Sequence, residues 1–169
     1  MPTSARVVET SGDSVVVAFS ADAAYPGLRI VASAFPWNWE ADGGMTLVLD
    51  VTNPSHDDVA VGLRVDDGEI PDGNFVAVST KITPGEHRLV LPLEGLSPAA
   101  PYALPEGSHK LLTHPGSIIL RPRPGSVFDL SHVTAVTVYL SHPANPATLT
   151  INRLTRVADH ALPGFAAAR

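Results

Sequence analysis

Both tryptophans of this chain fall in one short stretch, Phe35-Pro36-Trp37-Asn38-Trp39-Glu40, two positions apart. In an extended backbone, residues i and i+2 point to the same side, so Trp37 and Trp39 share a face. Exposed, such a pair is a platform on which the apolar C–H face of a sugar ring stacks; buried, it is a large block of core. Asn38 and Glu40 then point the other way, which makes one side of the segment polar and wet. Both readings of the indoles stand at this point.

Acidic residues concentrate in Asp66-Asp67-Gly68-Glu69-Ile70-Pro71-Asp72-Gly73-Asn74. Paired carboxylates serve glycoside hydrolysis when a cleft holds them roughly 5–9.5 Å apart. Here they crowd one hairpin tip, where Asp, Asn and Gly supply the backbone shapes that turns require, and the plain expectation is a solvated turn. The functional reading is that Asp66, Asp72 and Asn74 bind sugar hydroxyls or a calcium ion. The spacing does not match an EF-hand loop, so a structural calcium would need ligands from separate segments.

Arginine outnumbers lysine nine to two, and Arg64, Arg121, Arg123, Arg153 and Arg156 lie in or beside candidate strands. A guanidinium on a sheet face donates two parallel hydrogen bonds to vicinal hydroxyls or a sulfate ester, or pairs across strands with Asp or Glu. Of the seven histidines, only His109 and His114 lie close enough in one loop to suggest a shared site, and no His-x-x-x-His or His-Glu-x-x-His spacing occurs. His109 is therefore read as a polar contact to a ligand, against the plainer reading of an exposed loop residue. The serines lack the Gly-x-Ser-x-Gly setting of a nucleophile elbow. Cysteine is absent, which removes disulfides, thiolate metal sites and cysteine nucleophiles together.

These residues need a scaffold, and 169 residues suffice for one domain. With 44% hydrophobic and 17% charged residues the chain is composed like a folded globule. A net charge of −6 argues against a phosphate-tracking surface and so against nucleic acid as a partner. No apolar run approaches the ~18 residues of a membrane span, and the start lacks the charged and apolar regions of a signal peptide.

The 16 Pro and 13 Gly are spread so evenly that no window of helix length combines freedom from breakers with a 3.6-residue apolar period. Short Val-, Ile-, Leu- and Thr-rich runs closed by turn clusters recur instead, the pattern of an all-β sandwich or barrel. Ten strands are expected: Val7 to Glu9, Ser14 to Phe19, Leu28 to Ser33, Met45 to Val51, Val59 to Asp66, Asn74 to Thr80, His87 to Leu93, Ser117 to Arg121, Val133 to Leu140 and Thr148 to Thr155. Met45, Leu47, Leu49 and Val51 share one side, as do Val59, Val61, Leu63 and Val65 after the turn Asn53 to Asp58, so these two are expected to form an antiparallel pair with one buried face. Val136, Val138 and Leu140 alternate with Ala135, Thr137 and Tyr139, which marks a central strand buried on both sides. The long connections Glu94 to Gly116 and Pro122 to His132 are expected places for function. Residues 1–157 form the expected sandwich, and 158–169 a linker or edge-covering tail.

The order Leu28-Arg29-Ile30, Phe35-Pro36-Trp37-Asn38-Trp39 and Met45 to Pro54, followed by Val61 to Asp67, Ile82 to Arg88, Leu91-Pro92-Leu93 and the closing Thr148 to Leu154, resembles the carbohydrate-binding-module-like domain on the N-terminal side of β-agarases. The most specific element is Trp-x-Trp followed by a strand ending in Asp-Val-x-Asn-Pro, and the likeness spans roughly residues 25 to 157. It implies an antiparallel two-sheet jelly roll of galactose-binding type, without catalytic residues of its own, beside a polysaccharide-degrading glycoside hydrolase domain. The broader family often has aspartate in the closing strand where this chain has Asn152, which removes a charge and weakens any metal role the resemblance would imply there.

The function expected from the sequence is binding of a galactan such as neutral agarose through Trp37, Trp39, Arg64, Asp66, Asp72, Asn74 and His109. A structural calcium ion is the one cofactor admitted. Its setting is extracellular or periplasmic if the chain serves such an enzyme. The competing reading is a docking domain that braces a catalytic partner without a glycan site, motivated by apolar Ser97 to Pro105 and Ala161 to Phe165. A stand-alone sandwich-fold hydrolase or lyase is the third.

Overall fold

The computed structural model describes residues 4–39, 45–68, 75–93, 118–120 and 129–158. Ten strands follow in order: β1 Ala5–Ser11, β2 Ser14–Phe19, β3 Gly27–Val31, β4 Met45–Asn53, β5 Val59–Asp66, β6 Phe75–Ile82, β7 Gly85–Pro92, β8 Ile118–Leu120, β9 Ala135–Leu140 and β10 Ala147–Ala158. A 3-10 turn, Leu130–His132, precedes β9. The strands form two five-stranded antiparallel sheets, ordered β1-β2-β10-β4-β7 and β3-β9-β5-β6-β8. The chain is an all-β sandwich.

Period-2 alternation builds the core. Val17, Phe19, Leu47, Leu49, Val51, Leu89, Leu91 and Leu149 of the first sheet meet Val61, Leu63, Val65, Val76, Val78, Val138 and Leu140 of the second, all almost fully buried. Each such side chain contributes roughly 1.5–3 kcal/mol relative to exposure, so a one-residue slip in any central strand would forfeit several of these terms at once. β1, an edge strand, has little of this anchoring: only its first residue is buried, and a register shift between Val7 and Glu9 breaks the regularity of the edge.

The expected pairing of the fourth and fifth strands is corrected. β4 bonds to β10 and β7, whereas β5 bonds to β6 and β9, so the two lie in opposite sheets. Alternation identified their buried faces correctly, but two faces turned toward one core belong equally well to neighbours in a sheet or to partners across a sandwich. The connection between them is organised by Asn53, 1% exposed, whose Nδ2 donates to the Asp57 carbonyl at 2.8 Å while its Oδ1 accepts from the Ser55 amide and hydroxyl. β9 is an interior strand buried on both faces, as its double alternation predicts. At Asn152, β10 carries an extra residue relative to β4, and the amide side chain donates to Thr52 Oγ1 at 2.7 Å across the irregularity.

Candidate functional site

Trp37 and Trp39 lie in the connection from β3 to β4. Their segment is extended where the Trp37 amide and carbonyl both bond to Val133, at 2.8 and 3.0 Å, and the Trp39 amide bonds to the Leu130 carbonyl at 2.8 Å. The indoles do share a side: they stack with centroids 5.7 Å apart and planes 6° from parallel. That side is the inside. Trp39 is 7% exposed and belongs to the core, Trp37 is half-buried against the core, and the Arg156 guanidinium lies 5.4 Å from the centre of the Trp39 ring. The pair packs on the core, with Asn38, between them in the chain, exposed.

The acidic turn also begins inside, which corrects the expectation of a solvated tip for its first two residues. Asp66 is 1% exposed and Asp67 8%. Asp67 Oδ2 accepts the Asp129 amide at 2.7 Å, and Asp129 in turn caps the 3-10 turn by accepting the Ser131 amide at 2.9 Å. Asp66 Oδ1 accepts Arg64 Nε at 2.8 Å and a second bond from Arg64 Nη2, while Oδ2 lies 3.8 Å from Arg29 Nη1. These carboxylates hold neighbouring backbone and arginines in place. Among the described residues no group of three or more His, Asp or Glu side chains gathers around one point that could hold a metal. Asp72, Asn74 and His109, with His114 and the arginines at 121 and 123, lie outside the described residues.

Arg64 leads to a different place. On the outer face of the second sheet, register sets three rows of residues side by side: Gly27, Tyr139, Gly62 and Ser79; Arg29, Thr137, Arg64 and Ala77; and Val31, Ala135, Asp66 and Phe75. A cleft of about 400 Å³ runs over these rows, lined by Arg29, Arg64, Phe75, Ala77, Thr137 and Tyr139, with Ser4, Tyr25 and Gly27 at one side. Two glycines shape its floor. Tyr139 sits between Gly27 and Gly62 on the adjacent strands, and a Cβ on Gly62 would lie 2.1 Å from Tyr139 Cζ. Only a residue without a side chain lets the ring lie down across the sheet.

Laid down, Tyr139 is 7% exposed, and burial pushes its phenol up from the usual tyrosine range against the hydrogen bond from Ser79, so it stays neutral at ordinary pH. Tyr25 meets it edge-on with centroids 6.0 Å apart and planes at 74°, yet remains 60% exposed. Behind Tyr25 stands the ring of His142 at 4.6 Å, held by a left-handed backbone with φ of 49° whose amide donates to the Ala24 carbonyl. At the other side the Arg64 guanidinium lies 4.0 Å from the centre of the Phe75 ring. An aromatic, cation-bearing cleft edged by hydroxyls is chemically suited to a ring that offers an apolar face and a polar rim.

Of the sequence candidates within the described residues, only Arg64 lines this cleft. Asp66 sits behind it, acting through the arginines, and the tryptophans lie elsewhere. Tyr25, Arg29, Phe75, Thr137 and Tyr139 were not singled out. One signal existed: Gly62 in the middle of a strand whose alternate residues Val61, Leu63 and Val65 are apolar marks a close approach of something large, although the sequence does not say what.

No protein-family model matches the chain, and no curated protein matches it. Solved structures do. The chain is similar to PfGH50B (17% identity, TM-score 0.66, 90% of this chain and 21% of that one), to an exo-beta-agarase (17%, 0.65, 94% and 24%) and to the agarase AgWH50C (14%, 0.69, 92% and 23%). At these identities the likeness is one of fold, and the chain spans about a quarter or less of the length of each.

Proposed function

We propose that this chain is a non-catalytic, galactan-binding accessory domain of the kind that accompanies an agarase-type glycoside hydrolase. The observation that carries the reading is the cleft on the second sheet, where Tyr25, Tyr139 and Phe75 supply apolar ring faces and Arg29, Arg64 and Thr137 supply donors beside them. Similarity of the whole sandwich to a minor part of two agarase structures supports the setting. In that setting a weak single site is useful, since attachment to an enzyme raises its occupancy through effective concentration. Tyr25 is the stacking residue, exposed enough to meet a sugar ring and held by Tyr139 and His142. The tryptophans pack on the core, and Asp66 positions the arginines.

Affinity electrophoresis of the pure chain through gels with and without agarose tests this. Retardation by agarose is expected in wild type and reduced in Tyr25→Ala. Unretarded migration in every galactan gel would leave the second reading, a domain that docks on a catalytic partner. That reading draws on the exposed apolar side chains Val7, Val8, Ile30, Val31 and Phe35 of β1, β3 and the segment after β3. The apolar segments at 97–105 and 161–165 that first suggested docking lie outside the described residues.

A further inference from the structure

Resting on the polysaccharide-binding reading, we infer that the cleft takes an anionic substituent of a sugar, a sulfate ester or a carboxylate, and that Arg29 is the residue that grips it. The two arginines of the cleft are held differently. Arg64 is fixed by two hydrogen bonds to Asp66 Oδ1 and by the Phe75 ring under its guanidinium. Arg29 stands two strands away in the same row, beyond Thr137. It reaches Asp66 Oδ2 only at 3.8 Å, outside hydrogen-bond range, and about a third of its side chain is exposed. No hydrogen bond from Arg29 occurs among the described residues, so its five N–H donors are unused.

Charge balance says what those donors are for. Two guanidinium groups share one buried carboxylate, and the remaining described lining residues, Ser4, Tyr25, Gly27, Phe75, Ala77, Thr137 and Tyr139, carry no charge. Among the described residues the cleft therefore holds one excess positive charge, in a chain whose net charge is −6. Asp66 Oδ2 is buried and accepts no hydrogen bond, so its attraction keeps Arg29 over the floor without consuming a donor. A sugar hydroxyl would use a donor but leave the excess charge; two oxygens of a sulfate or carboxylate would do both, matching the fork of the guanidinium.

The test compares gels containing neutral agarose, sulfated carrageenan, carboxylated alginate or no polysaccharide, each at low and raised salt. Wild type is expected to bind carrageenan or alginate about tenfold more tightly than agarose, a ratio that corresponds to one charge-assisted hydrogen-bond pair. The preference should narrow as salt is raised. Arg29→Gln is expected to erase it, so that agarose, carrageenan and alginate retard the variant to the same degree, and Arg29→Lys to restore part of it, keeping the charge but not the fork. Whichever anionic polymer is preferred identifies the anion. Equal retardation in agarose and both anionic gels, or an undiminished preference in Arg29→Gln, would overturn the inference and leave the galactan reading standing. Absence of retardation in any gel would overturn both. Thermal melts of each variant separate loss of binding from loss of fold.

Discussion

Two aromatic pairs sit on this sandwich and do opposite things. Trp37 and Trp39 are neighbours in sequence, lie nearly parallel at 5.7 Å and turn inward, leaving Trp39 7% exposed. Tyr25 and Tyr139 come from distant parts of the chain, meet at 74° and 6.0 Å, and form a step in which one ring is buried and the other 60% exposed. Backbone makes the difference. The tryptophan segment is hydrogen-bonded at both indole-bearing residues, Trp37 to Val133 and Trp39 to Leu130, which fixes the indoles toward the core. Tyr139 belongs to the outward set of an interior strand, and it is buried only because Gly27 and Gly62 leave room for its ring to lie across their strands. A stacked pair in the core stabilises; a stepped pair on a sheet face presents a ring to a ligand.

The contrast can be attacked from either pair. Trp39→Ala should have the largest effect, a loss of about 3–5 kcal/mol in stability, read from chemical denaturation, with galactan affinity of the folded fraction unchanged. A fall in affinity without a fall in stability would assign the tryptophans to the binding site instead. Gly62→Ala comes next. Its Cβ cannot coexist with Tyr139 in the present position, so the ring must lift, at a cost of about 1–3 kcal/mol in stability and with loss of retardation in galactan gels. Unchanged binding in a well-folded Gly62→Ala variant would remove Tyr139 from the floor of the site.

Tyr25→Ala is expected to alter stability least, within about 1 kcal/mol, because its ring is largely outside the core, while lowering galactan affinity about tenfold. Tryptophan fluorescence sharpens the same point. The only indoles are in the other pair, so saturating galactan should leave their emission maximum where it was. A shift on binding would move the site toward Trp37.

Much of the fold was legible because period-2 alternation is a local property. Val61, Leu63 and Val65, or Val136, Val138 and Leu140, declare a buried face whatever they pack against, and β2 and β5 begin and end where their residue patterns do. Partnership was not legible: the same alternation in β4 and β5 fits a hairpin and a sandwich crossing equally, and Asn53, which organises the crossing, looks like any turn asparagine. The site divides the same way. Spacing alone determined that Trp37 and Trp39 share a side, since i and i+2 of an extended chain always do.

Which side faced water, and which residues shared a row, only the tertiary structure decided. Tyr25, Arg29, Phe75 and Tyr139 come together through the order β3-β9-β5-β6, a set of non-local hydrogen-bonded registers that no local pattern encodes. Asp66 shows the same limit in one residue. Its sequence neighbours are those of a solvated turn, yet strand pairing carries it under Arg64 and Arg29, where burial makes it a fixed counter-charge. Amino-acid order thus determined the strands, their inward faces and the all-β class through local sterics and hydrophobic alternation. The cleft and its charge arose from strand order, because only the assembled sheet brings distant side chains within reach.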